Sequence, residues 1–321
     1  MSVTIDSAYR ELLKEMTEGG VPPRHSLSVS GSRQLLAESF EDPQAGQTSR
    51  DLVVPGPRGE VPLRLYEPDR DSPRPVLVYY HGGGWVRGGL NIVDASCRTL
   101  VRKTECIVLS VDYRRAPENT FPAALEDACA AVEWATQYLD ALGADTDRIA
   151  VGGISSGGNL AAAVSLMARD DPALSLDYQL LLNPVTDHSF DTASYRQFDR
   201  EFWSQHCPDG TEGYPLSRED MEWYWNHYLA RDIDGAHPYA SPLQARDLGG
   251  VPPATVATCE FDPLLDEGKA YADRLRETGV PVTYRKYDNV FHSFLSNFDE
   301  LDRADEELDR LAADTRDALE V

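Results

Sequence analysis

Six short apolar runs, at residues 76–80, Ile107–Val111, 149–151, Tyr178–Leu182, 255–257 and 282–284, carry almost no polar alternation. A strand with one wet face alternates apolar and polar residues; an unbroken apolar run reads as a strand covered on both faces. Helical patterns lie between them. Phe121, Leu125, Ala128, Val132, Ala135 and Leu139 step along one helix face, residues 267–278 form a second pattern closed by Gly279, and Leu301, Ala304, Leu308, Leu311 and Thr315 a last one. Strands taking turns with helices predict a mainly parallel, doubly wound α/β sheet. Val61, Leu63 and Leu65 do alternate, with Pro62 among their neighbours, and predict a half-exposed strand near the sheet edge.

Residues 187–239 break this rhythm. They hold no good strand and carry Phe190, Phe202, Trp203, Tyr214, Trp223, Tyr224, Trp225 and Tyr228. An insertion over the carboxyl ends of the strands would sit where ligands bind in open α/β sheets. Near the N-terminus, Ile5, Tyr9, Leu12, Leu13 and Met16 fall at helical spacing and Gly19-Gly20 stop the helix, followed by polar loops with room for one short helix. The expected division is a helical cap from residues 1–50 and 187–239 and a main α/β domain from 51–186 and 240–321. An ordinary packing excursion with a core-forming aromatic stripe is the alternative for the insertion.

Charge narrows the partners. Fifty-four acidic residues against 30 basic ones give a net charge of −24, and of the basic residues only Lys14, Lys103, Lys269 and Lys286 are lysines. Such a surface repels nucleic acid and anionic membranes, so neither is an expected partner. The same surface fits either a plain acidic protein or one adapted to high salt, where counterions screen self-repulsion. No apolar run reaches the length of a membrane span, and the first residues lack a basic-then-apolar leader. Cys97, Cys106, Cys129, Cys207 and Cys259 are odd in number and scattered without a CxxC pair, which fits reduced thiols and a cytoplasmic location better than disulfides or zinc.

Two glycine-rich turns follow apolar runs: His81-Gly82-Gly83-Gly84-Trp85, and Gly153-Ile154-Ser155-Ser156-Gly157-Gly158, which opens an alanine-rich helix. A serine between glycines at a strand-to-helix turn is forced into a tight backbone that pushes its hydroxyl out of the sheet, as in the nucleophile elbow of α/β-hydrolases. Acyl transfer through serine then needs a base within hydrogen-bond reach and an acid that holds the base's tautomer. In that fold class the order is serine, acid, histidine. His292 lies beyond both the serine and a plausible acid-bearing loop, and Asp262 sits just past the run at 255–257. Ser155 is thus the candidate nucleophile, Asp262 the acid and His292 the base, with His292 expected after a strand and a turn at Asp288-Asn289-Val290. Ser156 competes with Ser155 but sits off the Gly-x-Ser-x-Gly frame, and its backbone N–H is better suited to receive an oxyanion. Asp266 and Glu267 read as charges at a helix N-terminus and Asp288 as a turn residue. His81 is expected to brace its loop, and His188, His206, His227 and His237 to serve surface or packing roles; no spacing suggests a metal.

Beyond these local arguments the chain resembles the hormone-sensitive-lipase-like family of carboxylesterases (bacterial family IV). The matching stretches are His81-Gly82-Gly83-Gly84-Trp85, Asp112-Tyr113-Arg114 with Ala116-Pro117-Glu118, and Phe121-Pro122-Ala123-Ala124-Leu125-Glu126-Asp127. They continue with Gly157-Gly158-Asn159-Leu160-Ala161, Asn183-Pro184-Val185, Ser241-Pro242-Leu243 and Asp262-Pro263-Leu264 with Asp266-Glu267-Gly268. The resemblance implies an α/β-hydrolase fold with a mostly parallel eight-stranded sheet and a helical cap, hydrolysis of short- to medium-chain acyl esters, and no cofactor. It implies that Gly83, Gly84 and Ser156 supply the oxyanion N–H groups. The expected partner is a small ester, for a monomer or homodimer without stable membrane insertion. The same triad would also serve aryl amides, lactones or longer lipid esters; a non-catalytic receptor of this family would lack His292. The chain departs from the family pattern at Ile154 (often aspartate or threonine), Ser156 (alanine), Arg115 (leucine), Asn119 (histidine) and Ser293 (glycine).

Overall fold

The computed structural model describes residues 4–17, 20, 22–38, 49–69, 73–171, 174–207 and 215–321. Its strands are β1 (Ser49–Gly56), β2 (Gly59–Tyr66), β3 (Arg74–Tyr80), β4 (Ile107–Val111), β5 (Ala144–Ile154), β6 (Tyr178–Leu182), β7 (Ala254–Phe261) and β8 (Val282–Phe291). They form one eight-stranded sheet in the order β1-β2-β4-β3-β5-β6-β7-β8. The β1–β2 and β2–β4 pairs are antiparallel, and β4 through β8 run parallel.

The unbroken apolar runs follow from the two sides of this sheet. On β3, Val76, Val78 and Tyr80 pack into one core layer, while Leu77 and Tyr79 pack into the other. The helices α4 (Ala123–Tyr138) and α5 (Ser156–Asp170) supply the first layer. The helices α1 (Ser7–Met16), α3 (Asp94–Thr104) and α10 (Asp302–Leu319) supply the second. With both faces dry, a polar residue on a central strand has to find a protein partner, as Gln179 on β6 does at the Pro252 carbonyl at 2.8 Å and Thr255 on β7 at the Tyr178 hydroxyl at 2.6 Å.

Three details differ from the sequence expectation. The edge strand is β1, which the sequence did not mark: its residues are mostly exposed, so it has no apolar signature, and β2 lies one place in from the edge. The helix α3 also lay outside the expected set. At the other edge, the turn expected at Asp288-Asn289-Val290 does not exist. β8 continues to Phe291 and pairs it with Phe261, but residues 288–290 have no register partner on β7 and form a bulge in which Asn289 takes φ 65°. The turn-favouring residues are thus taken up as an irregularity inside the strand instead of ending it.

The insertion is helical: α6 (Ala193–Gln197), α7 (Arg200–His206) and α8 (Arg218–Tyr228). Its aromatic residues are packed rather than lining open space. Trp85 stacks on Tyr228 with ring centroids 4.1 Å apart and meets Trp225 at 4.6 Å, and Trp203 stacks on Phe198 at 5.3 Å. Tyr214 lies outside the described residues. The N-terminal α1 docks on the end of β8, with Tyr9 set 5.7 Å from Phe291 and 5.6 Å from Phe294. A second N-terminal helix, α2 (Val29–Glu38), sends Arg33 to the carbonyls of Val86 and Ala116 at 2.8 Å each.

Candidate active site

The turn between β5 and α5 is too tight for side chains on either flank. A Cβ on Gly157 would fall 2.0 Å from the Tyr80 carbonyl oxygen, and one on Gly153 2.4 Å from Gly157 itself. Ser155 between them takes φ 58°, ψ −119°, a conformation costly for a residue with a side chain. The loop after β6 holds that backbone: Ser155 N–H donates to the Leu182 carbonyl at 2.8 Å, and Val185 N–H to the Ser155 carbonyl at 3.3 Å. Ser155 occupies the N-cap position of α5, yet its hydroxyl makes no capping bond. The hydroxyl stays available.

Asp262 follows β7 directly and is fully buried. Its Oδ1 accepts the Leu264 N–H at 2.9 Å. Its Oδ2 accepts the Asn183 side-chain amide at 3.0 Å and lies 2.7 Å from His292 Nδ1. A carboxylate offers only acceptors, so the proton in the last contact sits on Nδ1 and leaves Nε2 with a free lone pair. Ser293, just beyond, takes φ 66°, the left-handed conformation that glycine adopts at no cost. The structure thus brings Asp262 and His292 into direct contact and sets Ser155 at the same sheet end, tied to Asp262 through Leu182 and Asn183.

Asn183 is the functional residue that spacing alone does not reveal. It takes φ 44°, a region asparagine tolerates better than most residues, and this turns its amide onto the acid. The only sequence signal is its place in the Asn183-Pro184-Val185 stretch.

The glycine loop after β3 passes beside the serine: a Cβ on Gly82 would lie 3.6 Å from Ser155 Cβ. Gly83 and Gly84 have φ 117° and 61°, and the turn closes with Arg87 N–H donating to the Gly83 carbonyl at 2.9 Å. Among the described residues, neither glycine's own N–H donates to a protein acceptor. Gly84 cannot be replaced, because its Cβ would fall 2.1 Å from the Tyr224 ring of α8. Ser156, the first residue of α5, has no earlier turn to receive its N–H.

His81 acts as a brace. It is buried, its Nδ1 lies 2.7 Å from the Gly82 carbonyl, and its ring stacks on Tyr113 at 4.1 Å. Burial lowers its pKa to about 4. The folded protein therefore keeps His81 neutral while the unfolded chain takes up a proton near pH 6.5. The resulting stability is complete above that pH and is lost as pH falls towards 4. Urea unfolding of the wild type should lose about 3 kcal/mol more between pH 7 and 4 than His81→Asn does. Equal losses in the two proteins would contradict the buried neutral imidazole.

The other acids separate clearly. Asp266 accepts the Ser194 N–H at 2.8 Å, which ties α6 to the start of α9 (Leu265–Glu277), and Asp288 is exposed against Lys286 at 2.6 Å. Glu267 corrects its sequence reading as a helix-end charge. It is fully buried, accepts the Thr186 N–H at 2.7 Å, and burial pushes its carboxyl well above the usual range. Gly268 beside it packs on Thr258, so the start of α9 lies against the sheet rather than in water. His188, His206, His227 and His237 each pack on an aromatic ring.

With this geometry in view, the comparisons with known proteins agree with one another. A family model described as alpha/beta hydrolase fold matches residues 77–296. A carboxylic ester hydrolase, LipN, of Mycobacterium tuberculosis is 42% identical over 275 residues, covering 83% of this chain and 69% of its own. An arylesterase of Saccharolobus solfataricus is 37% identical, with 82% of each chain covered. An ethyl acetate hydrolase of Pseudomonas putida is 32% identical over 96% of each chain. The crystal structure of a thermostable esterase from Pseudomonas putida ECU1011 superposes with a TM-score of 0.90 at 32% identity, covering 100% of this chain and 99% of that one.

Proposed function

The chain belongs to the hormone-sensitive-lipase-like carboxylesterase family of the α/β-hydrolases and is an ester hydrolase, and on that premise we propose that it cleaves short- to medium-chain acyl esters with Ser155, His292 and Asp262 as its triad. The observation that carries the residue assignment is the 2.7 Å contact between His292 Nδ1 and the buried Asp262, at the sheet end that also bears Ser155.

His292 Nε2 takes the Ser155 proton as Oγ attacks the ester carbonyl, and Asp262 stabilises the imidazolium. The N–H groups of Gly83, Gly84 and Ser156 receive the oxyanion. Collapse of the tetrahedral species breaks the bond to the alcohol oxygen, which leaves with the proton from His292. Water, deprotonated by His292, then releases the acid from Ser155. Loss of one oxyanion donor in such sites costs on the order of 10²–10³ in turnover.

Relatives named for ethyl acetate and acetyl esters support a short acyl group, as does the close packing of the cap aromatics. In a series of p-nitrophenyl esters we expect kcat/KM to peak at butyrate or hexanoate. Decanoate or longer esters outrunning these would overturn the chain-length assignment.

Segments 1–50 and 187–239 act as a cap in this reading, and the protein works in the cytoplasm. No described helix is long and apolar enough to cross a membrane. Adaptation to salt belongs to the same proposal. The lysines are all committed to acids, for example Lys14 to Glu11 at 2.8 Å and Lys103 to Asp309 at 2.6 Å, so the excess negative charge stays uncompensated. The melting temperature should rise by several degrees from low to molar salt; a flat or falling curve would remove the idea.

A further inference from the structure

Among the described residues, one cation near the oxyanion loop forms no ion pair. Arg87 ends the turn that begins at Gly83, and its guanidinium lies over the Tyr224 ring, 5.6 Å from the centroid. That same ring occupies the space where a Gly84 Cβ would sit, so one aromatic face touches both the guanidinium and the oxyanion loop. Among the described residues the Arg87 guanidinium has one hydrogen bond, Nη1 to the Ser32 hydroxyl at 3.3 Å, and its Nε is sealed from water with no acceptor.

The nearest acid does not serve it. Asp220 lies under Arg24 at 3.5 Å and accepts from His25 at 2.9 Å and from the His25 and Ser217 N–H groups at 3.0 and 3.2 Å. Among the described residues Arg87 forms no ion pair. Burial pushes its pKa down, with a smaller push from Arg24, against upward pulls from Tyr224 and Asp220. A desolvated guanidinium with a single neutral acceptor is costly, and an anion arriving beside it recovers that cost through charge-assisted bonds. The setting makes the feature unusual, because a chain of net charge −24 repels anions at long range. Anion binding on such a protein has to be built locally.

We propose that Arg87 marks an anion subsite beside the oxyanion loop, and that the ester substrates include compounds bearing a second, ionised carboxylate, such as monoesters of dicarboxylic acids. The assignment rests on the esterase reading above and names its substrate class.

The test compares kcat/KM for the monoethyl esters of succinic, glutaric and adipic acids with that for ethyl butyrate, pentanoate and hexanoate. Arg87→Leu should lower the charged-to-neutral ratio at least tenfold for one pair, through KM for the charged ester; Arg87→Lys should restore part of the ratio. On the unmodified protein, glutarate should inhibit neutral-ester turnover at lower concentration than pentanoate does, which decides the matter if the leucine variant fails to fold. A ratio unmoved by Arg87→Leu, or pentanoate inhibiting as well as glutarate, overturns the subsite. Fluorophosphonate labelling of Ser155 separates the two levels: intact labelling with an unmoved ratio sinks the subsite alone, and absent labelling sinks the triad assignment beneath it.

Discussion

Ser155→Ala is expected to cut ester turnover by a factor on the order of 10⁴–10⁶, because the nucleophile, base and acid act as one unit and any residual rate comes from the oxyanion donors and binding. The elbow makes this a clean experiment. Ser155 Oγ makes no capping bond to α5, and the strained φ of 58° is imposed by Gly153, Gly157 and the loop after β6 rather than by the hydroxyl. The alanine variant should therefore melt close to the wild type while losing covalent labelling by a fluorophosphonate. Retention of more than about 1% of turnover, or a label found on Ser156, would move the nucleophile off Ser155.

Asp262→Asn should be almost as severe, about 10⁴ in kcat, and the hydrogen bonds say why. The two carboxylate oxygens accept from Leu264 N–H on one side and from Asn183 and His292 on the other. An amide has one acceptor and one donor end. If its NH2 faces His292, the imidazole must accept at Nδ1, so its proton moves to Nε2 and the base is lost. If its NH2 faces the other way, it meets the Leu264 N–H, and a buried donor stands against a donor. Either arrangement disables the site without emptying it. The variant should keep its fold, react slowly with the fluorophosphonate, and recover part of its rate at high pH, where hydroxide takes over the base's role. Wild-type turnover in Asp262→Asn would show that another acid orients His292.

Much of this architecture was written in one dimension. The buried strands announced themselves because a strand with dry layers on both faces is mostly apolar, the few polar residues such as Gln179 and Thr255 being those that find a protein partner. The elbow was legible because only glycine fits at residues 153 and 157, where the flanking backbone leaves no room for a Cβ. The expected order of serine, acid and histidine came from the α/β-hydrolase fold class, and the positions of Ser155, Asp262 and His292 after apolar runs matched it. β1 stayed hidden because an exposed edge strand needs no apolar pattern. The end of β8 was misread because Asp288 and Asn289, which favour a turn, form a bulge within the strand, and pairing with β7 resumes at Phe291.

What the sequence by itself determined is the fold class and a candidate set of reactive groups, since composition, glycine placement and strand pattern are local properties. Only the tertiary structure decided which groups surround them. Asn183 reaches Asp262 from 79 residues away, Glu267 is buried against the loop after β6, and the Arg87 guanidinium lies over Tyr224 of the inserted helix with no ion pair among the described residues. Contacts of that kind depend on how distant segments stack, and burial, which sets the cost of an unmatched charge, exists only once they have stacked.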